Sequence, residues 1–371
     1  MLRNLIRLLP FRGRLERVFM KQRVAVVMLA ISLGVASVGQ ADVVDDFVKV
    51  QVRSQKIPGL ALVVVKDGKI IKAAGYGFAD MQRQTPATAE TIYHVGSIGK
   101  TFMASTIMLL AKDGRLALDD SIVKHLPEAP PSWKAMTVQH LLSHTSGLPR
   151  DAPGFDPFTP KPDADIVRAI WRLQLEFQPG DKWAYSNAGY YLLGEIISRV
   201  SGRFWLAYLQ DAIIKPLGMN ATYPINTPMT LPNRAQGYAD NNKLEPVRPW
   251  AALHPAGGFL STALDLAKWN AALDSGTLLD RGLLERMWTP VRLNDGSDGP
   301  YGLGWELDTK YGNPRVRHGG SLRGFRSEFV RYPHARLTVI VLMNLDDVDW
   351  TVIAEGVAER YLVDVTPTSP R

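Results

Sequence analysis

Three short stretches carry residue types that together can transfer an acyl group: Ser97-Ile98-Gly99-Lys100, Tyr185-Ser186-Asn187 and His318-Gly319-Gly320. On a helix, residues i and i+3 share a face about one turn apart. Ser97 and Lys100 would therefore sit side by side, where the lysine nitrogen depresses the serine pKa or takes its proton. In the first turn of a helix Ser97 would also meet free backbone N–H groups and the positive dipole end, which favour a developing oxyanion. Taken singly each motif is weak, since a Ser-x-x-Lys arises by chance roughly once or twice in a chain of this size. The chain supplies its own controls. Ser121-Ile122-Val123-Lys124 also matches, but Pro127 follows and no helix is expected to extend from it. Tyr311-Gly312-Asn313 repeats Tyr-x-Asn, with Gly312 and Pro314 marking a turn. Gly99-Lys100-Thr101 mimics the end of a phosphate-binding loop, but His94 stands where the first glycine belongs. His140 and His144 lie a helical turn apart, yet Leu141 replaces the glutamate of a zinc motif and no third ligand is evident. No metal is expected.

The elements that must position these residues follow from pattern and punctuation. Residues 45–55 read as a short amphipathic helix, and the apolar runs 60–65 and 70–74 form a hairpin around Lys66-Asp67-Gly68-Lys69. Residues 97–112 are helix formers stopped by Asp113-Gly114. From about 119 to 280 the pattern is mainly helical, with helices over 190–200 and 265–273 and a Pro-rich surface loop over 150–162. Strand character returns over 315–317, 328–332 and 337–343, and residues 350–361 close as a helix. Strands at both ends with helices between them predict one sheet built from both termini plus a helical insertion.

Composition narrows the function. With 371 residues, 46% hydrophobic and 21% charged, the chain can bury a large core. Its net charge of +7 suggests nucleic acid until the charge is located. Residues 1–41 hold seven Lys/Arg and one acid, which leaves 36 basic and 35 acidic residues, a net of +1, for the remainder. No nucleic-acid partner is expected. Lys21 and Arg23, the apolar run 24–38 and Gly39-Gln40-Ala41 read as a secretory leader cleaved near Ala41, with Met20 a candidate start and an uncleaved anchor the competing reading. The run is short for a membrane span. No cysteine is present, so disulfides, thiolate catalysis and Cys-bound zinc are excluded. The expected location is the periplasm or the medium.

The segments flanking the motifs resemble the serine β-lactamase and penicillin-binding-protein family, in its class C and D-alanyl-D-alanine carboxypeptidase branch. The resemblance rests on Leu141-Leu142-Ser143-His144-Thr145-Ser146-Gly147-Leu148-Pro149, on Pro179-Gly180 leading through Tyr185-Ser186-Asn187 into Gly189-Tyr190-Tyr191-Leu192-Leu193-Gly194, on Tyr301-Gly302-Leu303-Gly304-Trp305, and on His318-Gly319-Gly320-Ser321. It covers nearly all of residues 45–361. It implies an α/β fold of the β-lactamase/transpeptidase type: a central antiparallel sheet flanked by helices, plus an all-α subdomain over about 119–280 within a single hydrolase domain, 42–371.

Carried onto matching positions, the resemblance implies that Ser97 forms an acyl-enzyme, that Lys100 deprotonates it, and that Tyr185, if neighbouring cations make its phenol acidic, relays protons. Asn187 would bind the substrate's amide or acyl chain. The N–H groups of Ser97 and Ser321 would form an oxyanion hole beside His318 and Gly320. No cofactor is implied. One departure stands out: His318-Gly319-Gly320 occupies the place of a Lys-Thr-Gly. That lysine is a permanent cation for a penicillin carboxylate, whereas histidine is cationic only part of the time near neutral pH. The expected activity is hydrolysis of an amide, peptide or ester, in the manner of a D-Ala carboxypeptidase, D-amino-peptidase or esterase, on a small-molecule or peptide substrate. A β-lactamase proper, and a non-catalytic penicillin- or cell-wall-binding protein, are the alternatives.

Overall fold

The computed structural model describes residues 38–228, 230–240 and 243–362. The leader reading over 1–41 lies outside these residues, except that the first helix begins at Val38. Helix α1 (Val38–Ser54) leads into strands β1 (Gly59–Lys66), β2 (Lys69–Asp80), β3 (Thr85–Pro86) and β4 (Tyr93–His94). A 3-10 turn, Gly96–Ile98, opens α2 (Gly99–Lys112). Then come α3 (Ile122–His125), α4 (Val138–Leu142), α5 (Asp163–Ile170), α6 (Asn187–Ser201) and α7 (Trp205–Leu209). Strands β5 (Tyr223–Pro224), β6 (Tyr238–Asp240), β7 (Leu244–Pro246) and β8 (Phe259–Ser261) precede α8 (Ala263–Ser275) and α9 (Arg281–Met287). The chain returns through β9 (Glu306–Lys310), β10 (Asn313–Leu322), β11 (Phe325–Tyr332) and β12 (Leu337–Met343) to α10 (Trp350–Leu362).

Seven strands form one antiparallel sheet in the order β3-β2-β1-β12-β11-β10-β9, so the two ends of the chain meet at the β1–β12 pair, as the sequence pattern implies. Residues 60 to 65 of β1 are all buried because both faces are covered. Leu60, Leu62 and Val64 point to a core shared with α1 and α10, while Ala61, Val63 and Val65 point to the larger core of α2, α6 and α8. The β1–β2 and β9–β10 turns place Asp67-Gly68 and Tyr311-Gly312 at φ of 51°, 75°, 51° and 71°, as a two-residue hairpin of the primed type requires.

Two expectations need correction. Residues 119–280 are not all helical. They contain β5 to β8, which make a three-stranded sheet β4-β8-β5 and a two-stranded β6–β7. Strands of two or three residues leave no period to read. Helix α8 packs on β1 and β12, so it belongs to the sheet's own layers rather than to the helical insertion. In addition, Ser121-Ile122-Val123-Lys124 does open a helix, but α3 is a single turn that ends before Pro127. There Lys124 bonds Asp120 at 2.6 Å and Ser121 bonds the Lys134 carbonyl, so the serine and lysine do not engage each other.

A polar tie fixes α8 to the sheet. Arg331 of β11, 2% exposed, donates to Asn270 Oδ1 at 2.8 Å and pairs with Asp274, while Thr338 donates to the same Asn270 oxygen. Removing one partner of a buried ion pair leaves a charge uncompensated. Asp274 is itself 46% exposed, which discounts the fully buried value. We expect Asp274→Ala to lower unfolding free energy by about 1–3 kcal/mol in urea denaturation. No measurable change would show that water already satisfies Arg331.

Candidate active site

Strand β4 delivers the chain to the Gly96–Ile98 turn, where Gly96 at φ 53° swings Ser97 to the mouth of α2. Ser97 is only partly buried, whereas α2 behind it is almost wholly enclosed. The neighbouring backbones approach too closely for side chains. A Cβ on Gly320 would meet the Val95 carbonyl and Ser327 Oγ at 2.1 Å, and one on Gly257 would lie 3.1 Å from the Ser97 nitrogen. Glycine at 257 and 320 thus lets two walls close on the serine.

Lys100, in the first turn of α2, has no solvent exposure. Its Nζ lies 2.5 Å from the Ala256 carbonyl, 2.8 Å from Asn187 Oδ1 and 3.3 Å from Ser97 Oγ. The rings of Tyr185 and Tyr190 cover it at 4.8 and 5.1 Å. Burial, reinforced by the Arg150 charge, holds its pKa well below 10.5. A neutral amine has two N–H donors and one lone pair. The two carbonyl oxygens can only accept, so they take both protons and leave the lone pair to receive the Ser97 hydroxyl proton.

Tyr185 and Asn187 come from the entry to α6, where Ser186 caps the helix by accepting from the Gly189 N–H. The Tyr185 ring lies 4.8 Å from Lys100 Nζ, and the Ser97 hydroxyl is near enough to pull the phenol pKa down. That pKa is nonetheless raised, chiefly by burial, against the smaller lowering from Ser97 and Arg150. The expectation of a phenol acidified by cations is therefore corrected: in this enclosed position desolvation wins, and Tyr185 keeps its proton. Because the Asn187 oxygen is held by Lys100, its amide nitrogen faces the opposite way and donates to Asp151 Oδ1 at 2.9 Å.

Strand β10 forms the other wall. The two-residue turn Arg323-Gly324 makes Leu322–Phe325 a bonded pair, so residues 320 and 318 also exchange bonds with β11. The N–H groups of Ser321 and Gly319 then point to the other edge. There β9 pairs only as far as Arg317 opposite Glu306. Ser321 N lies 3.1 Å from where a Gly96 Cβ would be, so its free N–H borders the Ser97 turn. His318 is 1% exposed. Its Nδ1 bonds the Gly319 carbonyl at 2.8 Å, which requires the proton there, and its Nε2 accepts from the Tyr301 hydroxyl at 2.7 Å. Burial brings its pKa down to about 4. The partial cation expected of His318 is thus corrected to a neutral imidazole with both nitrogens occupied.

The structure brings Ser97, Lys100 and Asn187 into one hydrogen-bonded group covered by the Tyr185 ring, with His318, Gly320 and Ser321 on the wall beside it. Several further residues escaped the sequence reading. Ala256 acts through its carbonyl, which carries no side-chain signal. Arg150, whose guanidinium lies 5.2 Å from the Tyr185 ring centroid, and Asp151 were absorbed into the surface-loop reading. Tyr301 and His144 were visible only as parts of longer matching stretches. His140 and His144 face separate tasks: His140 Nδ1 accepts from Thr137 N–H as part of a capping box, and His144 Nδ1 accepts from Ser186 N–H.

The chain is similar to known proteins of one family. The family model described as Beta-lactamase matches residues 43–361. Penicillin-binding protein 4* of Bacillus subtilis is 30% identical over 308 residues, 77% of this chain. The chain spans 68% of that protein's length and 63% of the length of other curated relatives. Among solved structures, the octameric penicillin-binding protein homologue from Pyrococcus abyssi matches with a TM-score of 0.76 and 30% identity over 86% of this chain and 76% of its own. The D-amino acid amidase from Ochrobactrum anthropi SV3, complexed with L-phenylalanine amide, matches with a TM-score of 0.74 and 26% identity over 87% of this chain and 97% of its own.

Beneath the β10 wall a fully buried carboxylate, Glu328, faces Gly319, and a Cβ there would meet Glu328 Oε2 and Trp350 Nε1 at 3.1 Å. Trp350 Nε1 donates to Glu328 at 3.0 Å, and Arg317 lies 3.4 Å away but pairs more closely, at 2.7 Å, with Glu306. Burial therefore outweighs the shared guanidinium and pushes the Glu328 pKa up to about 7 from 4.5. A carboxyl whose folded pKa is raised stabilises the fold below its unfolded pKa, and that contribution is lost as pH climbs through the folded value. The window here is pH 4.5 to 7, with a size on the order of 3 kcal/mol. We expect Glu328→Gln, which keeps an acceptor for Trp350, to gain stability relative to wild type between pH 5 and pH 8 in thermal melts. A constant difference across that range would show that Glu328 is ionised throughout.

Proposed function

The chain belongs to the Beta-lactamase family, and we propose that it is a serine hydrolase which forms an acyl-enzyme on Ser97 and hydrolyses an amide, peptide or ester. The observation that carries this reading is the hydrogen-bond bookkeeping at Lys100. With both N–H donors committed to Ala256 O and Asn187 Oδ1, the only unfilled position on a neutral Nζ faces Ser97 Oγ.

The steps follow from that state. Lys100 takes the Ser97 proton as Oγ attacks the substrate carbonyl carbon, and the carbonyl oxygen becomes an oxyanion held by the N–H groups of Ser97 and Ser321. The ammonium balances that oxyanion, but as the intermediate collapses it would be left buried without a counter-charge, which favours passing the proton onward. Tyr185, still protonated, gives its phenol proton to the leaving nitrogen or oxygen as the carbonyl–leaving-group bond breaks, and recovers one from Lys100. Water then repeats the attack on the acyl-enzyme, and Ser97 regains its proton as the acid departs.

Substrate choice follows from the walls. The neutral, fully bonded His318 offers no cation to a carboxylate, which favours amides, esters and peptides that present no free carboxylate there over β-lactams. The likeness to a D-amino acid amidase supports an amide among the substrates. Export through residues 1–41 belongs to the same proposal, and N-terminal sequencing of secreted protein tests it.

Ser97→Ala and Lys100→Arg, the latter carrying a guanidinium that cannot deprotonate, should each lower kcat on nitrophenyl esters by at least about 10³-fold. Tyr185→Phe should cost roughly 10²–10⁴-fold. Wild-type hydrolysis by the Ser97→Ala protein would end the proposal. Because the base must be deprotonated, kcat/KM should fall on acidification through a pKa well below 10.5, and an acidic limb at the ordinary lysine value would contradict a buried neutral Lys100. Neutral amides and neutral esters should outperform both nitrocefin and D-alanyl dipeptides, which carry a carboxylate. A ranking led by nitrocefin would mark a β-lactamase, and a stable penicillin adduct on Ser97 without turnover would mark a binding protein.

A further inference from the structure

His144 carries two local costs that packing alone does not require. It sits at φ 60°, a left-handed conformation unusual for a residue other than glycine. Its Nε2 is buried without a hydrogen-bond partner among the described residues. Strain and an unsatisfied donor at one residue point to a task that over-determines its position.

The task is visible in what His144 holds. Its main-chain carbonyl accepts the Ala184 N–H at 2.9 Å, and its ring Nδ1 accepts the Ser186 N–H at 3.1 Å. These two bonds bracket Tyr185 on either side along the backbone. The ring itself lies under the phenol, with centroids 4.2 Å apart and planes at 33°. Tyr301, Tyr190 and Trp183 enclose the other sides at 4.7, 5.3 and 6.4 Å. The left-handed backbone lets carbonyl and imidazole of a single residue engage N–H groups two positions apart. Accepting at Nδ1 places the ring proton on Nε2 and keeps the imidazole neutral. Protonation would turn Nδ1 into a donor and break the clamp. Burial, with the nearby Lys100, His318 and Arg150, opposes that protonation.

We propose that His144 is the positioning residue for Tyr185, a neutral Nε2–H imidazole that clamps residues 184–186 from both sides and sets the phenol against Ser97. This rests on the reading of Ser97 and Tyr185 as the reacting pair, but it can fail separately.

Two substitutions divide the clamp. His144→Phe keeps a ring beneath Tyr185 and deletes the Ser186 bond. His144→Asn keeps an acceptor near the Nδ1 position, tolerates the left-handed backbone and deletes the ring. On a nitrophenyl ester, His144→Phe should lower kcat by about 10- to 100-fold with KM little changed, and should displace the limbs of the pH–kcat profile. His144→Asn should recover most of that loss. Folded variants with wild-type kcat and pH profile, or equal losses in both, would overturn the clamp. Nitrogen-15 spectra of histidine-labelled wild-type protein give a test that does not depend on the variants folding. A neutral Nε2–H tautomer for His144 from pH 6 to 9 is expected, and an Nδ1–H tautomer or an imidazolium would refute it. Activity surviving in Ser97→Ala would instead remove the reading beneath, while leaving the tautomer result standing.

Discussion

A lysine amine with no access to water is the constraint from which the site follows. Lys100 is fully enclosed by α2, by the tyrosine rings and by the 256 backbone. A charged amine there would need a counter-ion, and the carboxylate nearest it in chemical terms, Asp151, is engaged with the far side of Asn187. Neutrality is the cheaper solution. Once the amine is neutral its valence does the rest: two carbonyl acceptors fix its protons, and geometry alone aims its lone pair. A surface lysine at the same helical spacing would be a solvated cation beside an ordinary serine.

Burying that amine demands close walls, and the close walls explain the glycines. Gly257 and Gly320 stand where any Cβ would strike backbone, and a Cβ on Gly304 would lie 2.4 Å from Ala104 Cβ in α2. The sheet contributes through alternation. A two-residue turn after Leu322 fixes which N–H groups of β10 serve β11 and which face the serine, and β9 stops short enough to leave Ser321 free. A longer β9 would fill the edge on which the proposed oxyanion donor depends.

How much of this was legible differs by kind of interaction. The spacing of Ser97 and Lys100, the hairpin at Asp67-Gly68, the long strands and the terminal helices are local patterns, and each appears in the structure over the residues read for it, although α1, β2 and β10 extend well beyond them. What could not be read are effects of burial and of backbone. The sequence says that position 318 is a histidine. It does not say that Tyr301, 17 residues away, will donate to its Nε2 and that the strand's own carbonyl will hold Nδ1. It likewise suggests cations near Tyr185 without revealing that desolvation of the phenol exceeds their pull. The short strands β5 to β8 fail for a simpler reason, since two or three residues cannot establish a period of two.

These burial effects bear on one another. Lys100, Tyr185, His144 and His318 are four titratable groups gathered beside Ser97, and desolvation is the largest influence moving each pKa toward the uncharged form. The charges that remain near the serine, Arg150 and Asp151, lie at the exposed rim. An uncharged interior suits a reaction that creates charge only in passing. The ammonium on Lys100 and the oxyanion on substrate arise together, at short range and in low dielectric, where their mutual attraction is strong. A permanent cation on β10 would stabilise the oxyanion as well, but it would also raise the cost of protonating Lys100, whose charge already bears on His318. In this chain the neutral imidazole at position 318 removes that conflict and, with it, a fixed charge for anionic substrates.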